Sequence, residues 1–291
     1  MSVRERDPLT GHSTTGHEWN GITELNTRVP RAIWIAIAVT HVWALGVWIL
    51  MPAWPLFWTY TGGILGIDQK EVIDETMREA QVERAGWADP IAAMSVDEIR
   101  AVPALMQVVD DTAPALFADN CAVCHGPGGV GGPGFPSLID DTWLWGGDPD
   151  AVMETIRVGI NSTHPETRIS EMLAFGRDGI LSGEEIRTVV AYVQSLSGGG
   201  SAPPETVAAG AELFAANCVA CHGEDGSGST ELGAPSLRAG HWSYGGDAAT
   251  LYRTVHDGRR GWMPAWEGRL SLPDRKILTV YLQTLGEEVR Q

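Results

Sequence analysis

Cysteine is scarce in this chain of 291 residues: there are four, and all four lie inside two short motifs, so no pair is free to form a disulfide. Positive charge is scarce as well. Twenty Lys and Arg face 37 Asp and Glu, a formal net charge of −17 at pH 7. Such a surface repels nucleic acid and anionic lipid, and it steers basic protein partners. Long apolar runs are equally few. Ala32 to Ile67 is free of charge, and within it Ala32 to Met51 is apolar apart from Thr40 and His41.

The two motifs are Cys121-Ala-Val-Cys124-His125 and Cys218-Val-Ala-Cys221-His222, separated by 97 residues. Cys-x-x-Cys-His is the signature of covalent haem c attachment. The cysteines form thioethers to the porphyrin and the histidine reaches the iron as proximal ligand. A redox dithiol needs a thioredoxin-like strand and helix around it, whereas Leu116-Phe117 and Leu213-Phe214 stand on amphipathic helices leading into each first cysteine. A four-cysteine zinc site draws its pairs from a short stretch. These pairs sit far apart, each in its own repeat, so the sequence predicts two covalently bound haem c groups.

The repeat extends beyond the motifs. Ala115 to Asn120 parallels Glu212 to Asn217, Pro136-Ser-Leu138 parallels Pro235-Ser-Leu237, and Trp143-Leu-Trp-Gly-Gly147 parallels Trp242-Ser-Tyr-Gly-Gly246. Gly159 and Gly258 follow those loops at the same offset of 12. Asp148 before Pro149, Ser182 with Glu185, Asp247 and Ser271 supply helix N-caps. The pattern predicts a mainly α chain with two tandem cytochrome c domains, 112–197 and 205–291, each folded around its own haem. Ser197-Gly-Gly-Gly-Ser-Ala-Pro-Pro204 would be the joint between them.

A second axial ligand is required on each iron, and methionine is the common choice in electron-transfer cytochromes. Met263 is the only methionine after the second motif and is assigned to the second domain. Met172 occupies the aligned place in the first. It lies 47 residues after His125, against 41 for the second pair, with an eight-residue insertion around His164. Leu173 rather than proline follows it. His164 and Met153 are its competitors, the one read as a loop residue and the other as core packing. His241 and His256 read as surface or propionate neighbours.

Ala32 to Met51 contains twenty residues, which at about 1.5 Å per residue crosses the roughly 30 Å hydrocarbon layer. A cleavable signal peptide would place a shorter apolar core nearer the start, so residues 31–58 read as an uncleaved anchor. Arg4, Arg6, Arg28 and Arg31 precede it, and Lys70 is the only cation after it until Arg78. The positive-inside rule then puts residues 1–30 in the cytoplasm and the haem domains on the far side. Residues 59–111 read as a helical linker, with Ser95 and Glu98 capping a helix from Val96 to Val109. It would serve as a spacer on the membrane surface or as a docking face.

Gly16-His-Glu-Trp-Asn-Gly-Ile22, Glu24-Leu-Asn26, Pro30, Met51-Pro-Ala-Trp-Pro55, Tyr60-Thr-Gly62, Trp143-Leu-Trp-Gly-Gly147 and Met263-Pro-Ala-Trp266 together carry a likeness that covers nearly the full length. On these residues the chain resembles the membrane-anchored dihaem subunit of cbb3-type cytochrome c oxidases. Arg28 stands where proline is expected. The resemblance implies a dihaem electron-transfer subunit in a bacterial inner membrane, with haem domains in the periplasm. It would pass electrons from a cytochrome c donor, by way of a monohaem subunit, to a haem–copper subunit of a proton-pumping terminal oxidase in aerobic or microaerobic respiration. A free-standing anchored carrier is the other reading. The chain itself has one span with one histidine, His41, too few to build an oxygen-reducing centre, so no catalytic residue is assigned.

Overall fold

A computed structural model describes residues 6–290. The chain is mainly α-helical and divides into two compact units, one ending at Glu83 and the other beginning at Arg84.

The first unit opens with a hairpin of β1 (Thr14–Trp19) and β2 (Ile22–Leu25), antiparallel with Trp19 opposite Ile22. The turn residues Asn20 and Gly21 both have positive φ, the backbone that a tight hairpin turn requires. Helix α1 follows, Arg31–Leu50, twenty residues containing an eighteen-residue window of mean hydropathy 2.0, with no buried residue along it. It is the one helix among the described residues long and apolar enough to cross a membrane. Its last carbonyls would be orphaned in lipid. The chain folds back so that the Ile64 and Leu65 amides donate to Ile49 and Leu50 oxygens, each at 3.0 Å. Gly63, at φ +68°, lies so close to the Leu50 carbonyl that a side chain would collide with it.

Helix α2 (Gln69–Ala93) carries the chain into the second unit. There α3 (Val96–Arg100) starts on the Ser95–Glu98 capping box, but it stops at Arg100 rather than running on to Val109. Val102 precedes Pro103 and is driven into extended backbone, so a new helix, α4 (Pro103–Asn120), begins at the proline. The expected linker is partly core. Ile91, Val96, Ile99, Leu105 and Val109 are buried against Ile277 and Val280.

The first motif forms α5 (Ala122–His125), and α6 (Pro149–Val158) follows, with the Asp148 side chain accepting from the Ala151 amide at 3.0 Å. Helix α7 (Gly183–Leu196) starts on the Ser182–Glu185 box. The second repeat gives α8 (Pro204–Asn217), α9 (Val219–His222), α10 (Ala248–Asp257, capped by Asp247) and α11 (Leu272–Arg290).

The two tandem cytochrome c repeats exchange their closing halves, so neither is folded on its own stretch of chain alone. Helix α7, from the first repeat, packs on α8 and α10 of the second; α11, from the second, packs on α4 and α6 of the first. The aromatic contacts follow the exchange, Tyr192 on Phe214 at 5.2 Å and Tyr281 on Phe117 at 5.8 Å between ring centroids. One lobe is therefore continuous, from the Met172 loop through α10, and it is inserted into the other. Ser197–Pro203 is not a joint between domains but the turn of a helical hairpin inside the inserted lobe, with the Gly199 amide donating to Gln194 oxygen at 3.0 Å.

Both helix crossings need small residues. On α8 a Cβ at Gly210 would meet Thr188 oxygen at 2.5 Å and Tyr192 Cβ at 2.7 Å. Its counterpart on α4, Ala113, is fully buried where α4 meets α11. Gly210→Ala is expected to cost about 1–3 kcal/mol by overpacking and to lower the thermal midpoint of the holo-chain. Gly132→Ala, which has no neighbour within 4 Å, serves as the control, and equal midpoints for the two variants would contradict the crossing geometry.

Candidate haem sites

Each motif is a single helical turn closed by a glycine. Gly126 and Gly223, at φ +75° and +74°, end α5 and α9 immediately after the histidine. That break lets the chain loop back over the imidazole. His125 Nδ1 lies 3.0 Å from Pro136 oxygen, and His222 Nδ1 lies 3.0 Å from Pro235 oxygen. A carbonyl only accepts, so Nδ1 carries the proton and the Nε2 lone pair is left for a metal. Burial holds both imidazoles below the usual histidine range, against the smaller opposing effect of those hydrogen bonds. Neutral imidazole is the form that binds iron.

The cysteines differ within each motif. Cys121 and Cys218 are half-buried, and burial pushes their thiols up to about 11. Cys124 and Cys221 are exposed.

The methionines complete the exchange. Met263 joins the apolar cluster of Phe117, Val152 and Ile156, which also takes in Cys121, Leu138 and Trp143. Met172 joins that of Phe214, Leu237 and Leu251, together with Cys218, Val219 and Trp242. Each thioether thus stands in the cluster of the other repeat's motif, reversing the pairing expected from repeat alignment. The backbone explains how. Met263 exchanges hydrogen bonds with Ile160 at 2.9 and 3.0 Å, and Met172 exchanges them with Arg259 at 2.8 and 3.1 Å. Gly159 and Gly258, the paired glycines of the repeat, lie under the Met263 and Met172 carbonyls, where neither has room for a side chain.

The tryptophan loops obey the same rule. Trp143 lies against Gly147 and Trp242 against Gly246, closely enough to exclude any Cβ. Gln283, from α11, donates to Gly147 oxygen at 2.7 Å, and Gln194, from α7, donates to Gly246 oxygen at 3.2 Å.

The other sequence candidates find different work. His164 Nε2 lies 2.8 Å from Glu267, within a group that includes Arg157, Glu154 and Glu166. Met153 is half-buried on α6. His241 is exposed, and His256 pairs with Asp257 at 2.7 Å while stacking on Tyr252. His41 Nδ1 turns back to the Ile37 carbonyl of its own helix at 2.7 Å. Alignment of the repeats could not disclose the exchange, but the seven-residue connection between α7 and α8 could. Helices joined so briefly pack as antiparallel neighbours.

A thioether and a thiol in one apolar cluster, with a neutral imidazole and an exposed second thiol on the same helical turn, are a donor set suited to haem c, and it occurs twice. Acid should loosen it. Because the folded imidazoles titrate below their unfolded value, the unfolded chain takes up protons first as pH falls through about 6.5. The stability these histidines lend is present above that pH and is lost below it. Chemical denaturation of the ferric chain should show a lower midpoint at pH 5 than at pH 7, with the histidine-ligated spectrum lost in the same transition; a midpoint rising toward acid would contradict the neutral-imidazole geometry.

Comparison with known proteins finds the same two repeats and the N-terminal segment. The family model described as cytochrome c oxidase, cbb3-type, subunit III matches twice, at residues 109–193 and 205–282. The N-terminal domain of cytochrome oxidase-cbb3, FixP, matches residues 11–58. The cbb3-type cytochrome c oxidase subunit FixP of Bradyrhizobium diazoefficiens is 45% identical over 97% of each chain. FixP of Azorhizobium caulinodans is 48% identical over 96% of this chain and 95% of its own. Subunit CcoP of an Azospirillum species is 44% identical over 98% and 99%. With both repeats, the N-terminal segment and nearly the full length matched, this chain belongs to the subunit III family of cbb3-type cytochrome c oxidases, as a single-pass membrane protein with one N-terminal span.

Proposed function

We propose that the chain carries two haems c, one on Cys121 and Cys124 with His125 and Met263 as axial ligands, the other on Cys218 and Cys221 with His222 and Met172. Through them it passes electrons from a cytochrome c donor, by way of the monohaem subunit, to the haem–copper subunit of the oxidase. The observation that carries this reading is the meeting, in each apolar cluster, of one repeat's Cys-x-x-Cys-His turn with the other repeat's methionine.

Bound haem c supplies a one-electron iron couple. The chain's own residues set how it behaves. Pro136 and Pro235 carbonyls orient the imidazoles. Met263 and Met172 would hold the iron through a thioether, which would favour the ferrous state and raise the potential. The apolar clusters and the Trp143 and Trp242 loops would shield a bound haem from water, and because each site supplies a methionine as well as a histidine, the iron would keep no position for oxygen. Electrons therefore pass through this chain to chemistry performed elsewhere. The charge asymmetry about α1 supports a cytoplasmic N-terminus and periplasmic haem lobes. The acidic surface suits a basic donor.

Met263→His should lower the potential of one haem by replacing thioether with imidazole. Adding Cys121→Ala and Cys124→Ala should abolish the altered redox wave, whereas adding Cys218→Ala and Cys221→Ala should leave it; the reverse would return Met263 to its own repeat.

The role in the complex is tested by mild-detergent purification through a tag on this chain, with oxygen uptake from a reduced cytochrome c donor. Co-purifying b-type haem and cyanide-sensitive uptake are expected. A lone dihaem chain without uptake, from membranes that themselves respire, would make it a free-standing carrier.

A further inference from the structure

Among the described residues, two other than glycine have positive φ: Asn20 in the β-hairpin turn, and Asn161, at +48°, in the second unit. Asparagine tolerates that left-handed backbone better than most residues with a Cβ. Asn161 is not a hairpin turn residue, and its side chain is fully engaged. Nδ2 donates to two carbonyls, those of Ser170 and Gly261, each at 2.7 Å. Oδ1 accepts from the Ser170 amide at 3.3 Å. Two acceptors at one end and a donor at the other settle which end is nitrogen, because the flipped amide would set oxygen against oxygen. The backbone amide of Asn161 donates to Arg168 oxygen at 2.8 Å, which fixes the residue itself.

Ser170 stands two residues before Met172, and Gly261 stands two residues before Met263. One carboxamide therefore grips both methionine loops at the same relative place. Beyond each methionine the loop is held by backbone bonds to the other repeat, Phe175 amide to Val255 oxygen at 3.0 Å and Trp266 amide to Ile156 oxygen at 3.1 Å. Ahead of each methionine packing contributes little, since Glu171 is exposed and Trp262 is 64% exposed. The counterpart of Asn161 in the second repeat, two residues after Gly258, is the exposed Arg260.

We infer that Asn161 is a positioning residue shared by both haem sites. Through its two donated hydrogen bonds it holds Met172 and Met263 on their irons and keeps small ligands off both. The inference rests on the haem reading above, in which each methionine completes an iron. It adds one residue that acts on the two sites at once, from outside either Cys-x-x-Cys-His motif. A foreign ligand binds only the fraction of irons whose methionine has left, so its apparent affinity reports how readily the loop opens. Loss of an ordinary hydrogen bond shifts such an equilibrium about two- to tenfold.

The test is an imidazole titration of the ferric, detergent-solubilised holo-chain, followed by loss of the methionine-to-ferric charge-transfer band. Imidazole is a small probe without the negative charge that the acidic surface would repel. Each haem is read alone in a background where the other iron's methionine is replaced, Met263→His or Met172→His. Asn161→Gly keeps the left-handed backbone and removes the carboxamide, and it should tighten imidazole binding about two- to tenfold at both haems. Asn161→Asp keeps the acceptor and loses both donors, so it should tighten binding as well. Ser95→Ala, which removes the cap of α3 and lowers the thermal midpoint, should leave both affinities in place, which separates positioning from general stability. Affinities unmoved by Asn161→Gly, or moved at one haem only, would overturn the inference while leaving the haem assignment intact. Fewer than two haems per wild-type chain by pyridine haemochrome, or no methionine band from either, would instead overturn the reading beneath it.

Discussion

Two short antiparallel pairings, Ile160 with Met263 and Met172 with Arg259, are what the rest of the second unit depends on. Each uses both backbone groups of a methionine, leaving only the side chain free, so the thioether is aimed by hydrogen bonds that a rotation of the loop would break. Each also demands a glycine beneath the methionine carbonyl, and Gly159 and Gly258 occupy those places. Since the two partners in each pairing come from different repeats, neither cluster can close until both repeats are folded. Assembly of the two sites is cooperative by construction.

The same exchange limits how the lobes move. Had Ser197–Pro203 been a tether between separate domains, its glycines would have given the lobes freedom to rotate. As the turn of the α7–α8 hairpin it contributes nothing to relative motion. The lobes are joined instead by the two methionine pairings, by the Asn161 side chain donating to Ser170 and Gly261 oxygens at 2.7 Å, and by rings set into the opposite loop, Trp145 on Gly233 and Tyr244 on Gly134. Electron exchange between two sites falls steeply with distance, so a fixed spacing suits a conductor better than a flexible one does.

What the sequence made legible were features written in local chemistry. The two haem motifs, the caps at Asp148, Ser182 and Asp247, and the apolar span at Arg31–Leu50 each depend on residues a few positions apart. The exchange does not. Its closing helices carry equivalent patterns, with Val189 and Val193 on one and Leu278 and Leu282 on the other, so either would satisfy either opening helix by composition. Only the brevity of the α7–α8 connection decided between them. The break between α3 and α4 is written in the sequence, since Val102 precedes a proline, whereas the Ser95–Glu98 cap specifies only where a helix starts.

Helix α11 is the element on which these constraints converge, and magnitude decides which of its contacts matter. It forms ion pairs with the segment leaving the anchor, Asp274 to Arg84 and Glu287 to Arg100, and Lys276 donates to the Ala92 and Met94 carbonyls at the end of α2. Partly exposed pairs of this kind contribute about 0–1 kcal/mol each. Fully burying an aliphatic side chain contributes about 1.5–3 kcal/mol, and α11 buries Ile277, Leu278, Val280 and Leu282. Apolar burial therefore seats the helix, and the ion pairs set its register. From that seat Gln283 reaches the Gly147 carbonyl and Tyr281 meets Phe117, so the last helix of the chain shapes the pocket of its first haem motif. Sequence distance and spatial distance part company here: Met263 and Tyr281, which join the Cys121 cluster, lie more than a hundred positions away, whereas Met172, far nearer in sequence, joins the cluster of Cys218.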